Sequence, residues 1–116
     1  MSEIKAYVDQ FEQEKREWIL EFTQYMHDKH PEMKPTIWFR MPTYKKDNVY
    51  IAFSVAKQHF TVHTNDEQSF QLMKEALPDC KVGKRSIQIK YDQLDAKRVI
   101  YNTIEFLARK TDFNKK

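Results

Sequence analysis

A chain of 116 residues, 41% hydrophobic and 32% charged, has the size and balance of one globular domain. Its net charge of +3 is too slight for a dedicated nucleic-acid binder, and its single cysteine, Cys80, excludes an internal disulfide or a multi-cysteine zinc site. No run is long and apolar enough to span a bilayer, and the N-terminus lacks the apolar centre of a secretory signal, so the expectation is a single cytoplasmic domain over residues 1–116 with no membrane partner.

The charge is unevenly spread: residues 1–30 carry a net −3, while 31–64 and 65–116 each carry +3. The first thirty residues read as helix. Ile4, Tyr7, Val8 and Phe11 form one apolar stripe, and Trp18, Ile19, Phe22, Tyr25 and Met26 a second. The polar run between them predicts a short helix, a bend near Phe11 to Gln13, and a longer helix to about Lys29, stopped by Pro31 and Pro35. Thr36 to Phe39 reads as a strand with Ile37 and Phe39 inward. Pro42 makes Thr43 to Lys45 an edge strand or irregular, and Lys46-Asp47-Asn48 a turn. With Gly83 the only glycine, tight primed hairpin turns are not expected.

Val49 to Ser54 and Gln58 to Thr64 alternate as strands. Ile51, Phe53 and Val55 share a side in the first, Phe60 and Val62 in the second. Thr64 opens a capping box with Glu67, ahead of a helix that buries Phe70, Met73 and Leu77 and ends at Pro78. Arg85 to Tyr91 alternates again. Asp95 can cap the last helix, with Leu94 and Val99 as its staple and Val99, Ile100, Thr103, Ile104 and Leu107 inward. Residues 112–116 read as a frayed basic tail. The sum is a two-layer α+β domain, an antiparallel sheet of four to five strands with the N- and C-terminal helices on one face.

Three segments occur together: Met41-Pro42-Thr43-Tyr44-Lys45, Tyr50-Ile51-Ala52-Phe53 with Lys57-Gln58-His59, and Gly83-Lys84-Arg85-Ser86-Ile87-Gln88-Ile89. In this order they resemble the YdhG-like family of small bacterial proteins, a domain of unknown function, over roughly Ile4 to Arg109. Arg40 departs from the pattern, standing where the family often has glycine. The resemblance implies a compact fold compared with that of frataxin and, for some members, a role as an intracellular iron chaperone with iron-accepting partner proteins.

Weak, exchangeable iron suits exposed carboxylates. In the long N-terminal helix Glu14, Glu17, Glu21 and Asp28 fall within about 60° of one another, with no lysine or arginine of that helix inside the arc. The competing reading is a solvated acidic flank. His59 and His63 are about 13 Å apart along a strand, too far to share one ion at metal–nitrogen distances of about 2 Å; His59 is expected to bond across the sheet. His27 and His30 suit the negative end of their helix.

If helices cover one sheet face, the other carries Trp38, Arg40, Tyr50, Ala52, Ser54, His59, Thr61, His63, Gln88 and Lys90. Its aromatics suit a planar ligand, a protein partner or a homodimer through the sheet face. The alternative is that residues 41–46 fold over them. Lys45, Lys46, Lys57, Lys84 and Arg85 are candidates for an anion site, although loop lysines ordinarily point into water. With no recognised motif and no dense basic stripe, the sequence argues against nucleic acid. Nothing places a base beside Cys80, so a non-enzyme is expected.

Overall fold

The computed structural model describes residues 2–114, with side chains described from Glu3 to Lys110. Its elements run α1 (Ser2–Asp9), α2 (Gln13–Lys29), β1 (Lys34–Trp38), β2 (Met41–Lys46), β3 (Val49–Val55), β4 (His59–Thr64), α3 (Glu67–Ala76), β5 (Lys81–Val82), β6 (Ser86–Lys90) and α4 (Ala96–Asn114). The strands form one sheet in the order β1-β2-β3-β4-β6-β5, every neighbouring pair antiparallel.

The N-terminal helices divide as their stripes predict. The amides of Gln10 and Phe11 turn back onto the carbonyls of Tyr7 and Val8, and Gln13 takes a left-handed φ of 54° that separates α1 from α2. In α2 the spacing of Trp18, Ile19, Phe22 and Met26 puts all four on one buried stripe. Pro31 cannot extend that helix, and the His30 amide closes it on the Met26 carbonyl at 3.0 Å.

Parity decides the rest. The core joins residues from all four helices to Tyr44, Ile51, Phe53, Phe60, Val62, Ile87 and Ile89. No strand residue of the opposite parity enters that cluster. Phe22 stacks at 5.8 Å on Phe53, which stacks at 5.9 Å on Phe60, and Trp18 lies 5.3 Å from Phe60. The Trp18 indole donates to the Tyr91 carbonyl at 3.2 Å, so its one polar atom is satisfied inside the core. Ile100, Thr103, Ile104 and Leu107 of α4 are buried as their spacing predicts.

Several expectations fail for identifiable reasons. The sheet has six strands, because β2 is fully paired and Lys81–Val82 adds a short edge. β2 is an interior strand: Pro42 sits just beyond the last β2–β3 pair, Thr43 with Ala52, so its missing N–H falls outside that ladder. Phe39 is not inward. With Arg40 it forms a two-residue hairpin turn, both at positive φ (51° and 63°), and it is 74% exposed. A primed turn therefore forms without glycine. The cap of α3 is Asp66, whose carboxylate accepts from the Ser69 amide at 3.0 Å. Thr64 Oγ1 instead donates to the Tyr50 carbonyl at 2.7 Å. Leu94 is 62% exposed and staples nothing. Helix α4 continues to Asn114, and residues 115–116 of the expected tail lie outside the described residues. No helix among the described residues is long and apolar enough to cross a membrane.

Candidate functional site

The helices leave one face of the sheet open, and the strand register assembles it row by row. One row runs Thr36, Thr43, Ala52, His63, Ser86 across β1, β2, β3, β4 and β6. Beside it Lys34 pairs with Lys45 and Lys45 with Tyr50. On the other side Trp38 pairs with Met41, and Ser54, Thr61, Gln88 and Lys81 continue on the far strands. The last pair is His59 with Lys90. No aspartate or glutamate occupies any of these positions.

Trp38 and Tyr50 stand on β1 and β3, with β2 between them, yet their rings meet edge to face at 5.2 Å and 87°. Thr43 and Ala52 lie between those two positions and are 1% and 0% exposed, although no helix residue of the core joins them. Small side chains under two large rings make an aromatic platform supported from below. Trp38 remains 44% exposed, and Phe39 extends the platform at 4.7 Å from it. The segment 41–46 does not fold over these rings; it is the strand beneath them.

Lys34 and Lys45 are directly opposite one another and both exposed. Like charges so placed repel, and among the described residues no carboxylate reaches either within ion-pair distance. They line an open hollow of ≈ 480 Å³ together with Thr36, Lys46 and two acids, Glu32 and Asp47.

The other basic candidates are dispersed. Arg85 is bound to the start of α3, 3.2 Å from Glu67 and donating to the Asn65 carbonyl at 2.8 Å. Lys84 is exposed in the β5–β6 turn, which Gly83 permits because a Cβ there would meet Ser86 Oγ at 2.5 Å. Lys57 shares a shallow depression at the far end of the sheet with His59, Lys90, Glu14 and Asp92. Among the described residues the His59 ring makes no cross-strand hydrogen bond, although the His59 carbonyl accepts from the Tyr91 hydroxyl. Its Nδ1 is buried without a partner among the described residues.

The acidic stripe does not gather. Glu14 and Glu17 are exposed, Glu21 pairs with Lys97 at 2.8 Å and accepts from the Tyr101 hydroxyl, and Asp28 stands about 21 Å along the helix from Glu14. Among the described residues no three histidine, cysteine or acidic side chains are placed to hold one metal ion. The hydroxyl of Tyr101 is pushed well above its ordinary range, first by burial and then by the Glu21 carboxylate it serves.

The two histidines near the end of α2 part company. His27 Nε2 lies 3.1 Å from the Tyr44 hydroxyl, and burial pulls the imidazole below its ordinary pKa. His30 Nε2 sits 2.7 Å from Glu105, which also accepts from Tyr25. Burial pushes the Glu105 carboxyl up, but these two hydrogen bonds, together with the charges of His30 and Arg109, hold the group below its ordinary value. Burial, then Glu105, pushes the Tyr25 hydroxyl up to about 12. His63, on the open face, lies 3.3 Å from Ser54 Oγ and is lowered by burial. The Cys80 thiol is half-buried, directed at Gln93 Oε1 at 3.6 Å and raised chiefly by burial, the opposite of an activated nucleophile.

Of the residues on and beside this face, sequence reasoning named Trp38, Tyr50 and Lys45 as candidates, read Phe39 as inward and did not name Lys34. Counting back by twos from Trp38 reaches Lys34, a signal that Pro35 obscured. No family model matches the chain, nor does any curated protein sequence. Among solved structures the fold resembles that of YdhG, a DUF1801-family protein from Bacillus subtilis. The TM-score is 0.76 at 19% identity, covering 91% of this chain and 88% of that one. At that identity the likeness speaks to fold, and neither a frataxin relationship nor an iron-related role follows from it.

Proposed function

We propose that this chain is a non-catalytic binding module whose working surface is the open sheet face, and that its partner is anionic and carries flat apolar groups. One observation carries the reading: the Trp38–Tyr50 platform spans β1 to β3, where β1 and β2 bear lysines and none of the three strands bears a carboxylate. Exposed, supported aromatics offer stacking area at small entropic cost. The opposed Lys34 and Lys45 gain most from an incoming negative charge. Face-to-face homodimerisation has less support, because it brings two carboxylate-free basic surfaces together.

An iron-carrying role through Glu14, Glu17, Glu21 and Asp28 is the weaker alternative. It retains only Glu14 and Glu17, exposed one turn apart on α2, while Glu21 is engaged by Lys97 and Tyr101. Iron titration followed by amide NMR separates the two: broadening confined to α2 would favour iron.

The direct test of the open face uses 1-anilinonaphthalene-8-sulfonate, a dye that is both anionic and flat. The folded protein is expected to bind it with quenching of Trp38, since Trp18 is buried in the core. Trp38→Ala and the double variant Lys34→Gln/Lys45→Gln should each weaken binding about two- to tenfold. Equal binding by all three proteins, with circular dichroism unchanged, overturns the proposal.

A further inference from the structure

The same face narrows the class of partner, an inference that rests on the reading above. We infer that the open face binds a single strand of nucleic acid. Every base has a π face that stacks on an exposed ring without regard to sequence; Trp38, 44% exposed, offers such a ring, and the half-buried Tyr50 braces it edge to face from another strand. The backbone of such a strand needs cations spread along a path. Lys34 and Lys45 stand at one corner and Lys81 and Lys90 on β5 and β6, with the lateral distance from β1 to β6 about 19 Å at the usual strand spacing.

Between the lysines the floor is polar and uncharged. Ser54, His63, Ser86 and Gln88 present donors and acceptors of the kind that base edges and sugars use. Four acids border this surface: Glu32 and Asp47 line the hollow with Lys34 and Lys45, and Glu14 and Asp92 line the depression with Lys90, but none of the four stands on a strand of the sheet. A duplex is the wrong partner: its bases are stacked inside, out of reach of a ring on an open sheet face. The sequence argued otherwise because it contains no basic run. The four lysines come one each from β1, β2, β5 and β6, and only the register brings them to one side.

Fluorescence anisotropy with a labelled oligouridylate of about ten nucleotides, and with its deoxy counterpart, tests the inference. Binding of either is expected. Trp38→Ala should weaken it at least about tenfold. Lys34→Gln/Lys45→Gln should flatten the dependence of log K on log salt by about 1.4, two phosphate contacts at about 0.7 each. A duplex of the same length should bind more weakly than either strand. No binding of the single strands, binding indifferent to Trp38→Ala in a folded variant, or equal binding of the duplex overturns the inference. So does polyglutamate binding as tightly as the oligonucleotides, which assigns the face to an acidic protein. If the dye binds through Trp38 while the oligonucleotides do not, this inference alone falls and the binding-module reading stands.

Discussion

The two faces of one sheet follow opposite rules. On the covered face Phe53, Phe60 and Ile51 are fully buried, the two phenylalanines against Phe22 of α2, and the one polar atom of the Trp18 indole is satisfied by the Tyr91 carbonyl. On the open face the large side chains lie at the surface and the small ones are buried: Trp38 is 44% exposed while Ala52 beneath is 0%. The first arrangement removes apolar area from water and is the source of stability. The second leaves apolar area in water on a supported platform, beside two lysines that repel each other, and stability alone gives no reason for it.

Two residues of β3 expose that difference most sharply. Phe53→Ala removes a ring stacked between Phe22 and Phe60 and is expected to destabilise by about 3–5 kcal/mol. Tyr50→Ala, three positions earlier on the other face, removes a ring of similar size and should cost no more than about 1 kcal/mol. Urea unfolding midpoints at constant slope measure both. Comparable losses would mean that the open face is part of the core after all.

The two faces also share one electrostatic property, which pH can separate. His27, behind the covered face, and His63, on the open face, are both lowered by burial. As pH falls through the ordinary histidine range near about 6.5, the unfolded chain takes up protons before the folded one does, so stability declines with falling pH. The decline ends once the pH is below the depressed folded values. Glu105 and Asp66, also lowered, act in a separate window: their contribution is present above the ordinary carboxylate range and is lost as pH drops below it. His27→Gln and His63→Gln should each flatten the first decline, by no more than about 1 kcal/mol, and leave the second unchanged. Urea midpoints taken at intervals of pH decide it. A histidine variant with the full wild-type slope would show that its ring titrates alike in both states.

Much of the covered face was legible because burial imposes periodicity. The α2 stripe, the break before Gln13 and the phase change at Phe60 follow from spacing alone. The open face was legible only in part, because parity names which residues look outward without saying how they meet. That Trp38 reaches Tyr50 across an intervening strand depends on twist and rotamer, which no local pattern encodes. The error at Phe39 has a different origin. Its alternation continues that of Ile37, and only the pairing of Trp38 with Met41 turns the chain there. The carboxylates show the converse limit: Glu21 falls on the acidic arc by angle, but Lys97 and Tyr101 reach it from α4, about 80 positions on.

The smallest expected effect concerns the turn that ends β1. Phe39 and Arg40 both adopt positive φ, which for side chains with a Cβ costs about 1 kcal/mol or more each relative to glycine or asparagine. Twist makes this turn the right one for a two-residue hairpin, so the backbone keeps the conformation and the side chains bear the strain. Phe39→Asn/Arg40→Gly supplies the residues that such a turn favours and is expected to raise stability by about 0.5–1 kcal/mol, a few degrees in Tm for a domain of this size. The same substitution removes the ring that extends the platform and a cation at its edge, so dye binding at the open face should weaken while the protein grows more stable. That opposition is what a strained segment kept for its surface predicts. A variant that is more stable and binds equally well would show that Phe39 and Arg40 serve the turn and not the platform. A variant that is less stable would show that Phe39 packs on Trp38 strongly enough to offset the strain, making the hairpin tip a structural extension of the sheet.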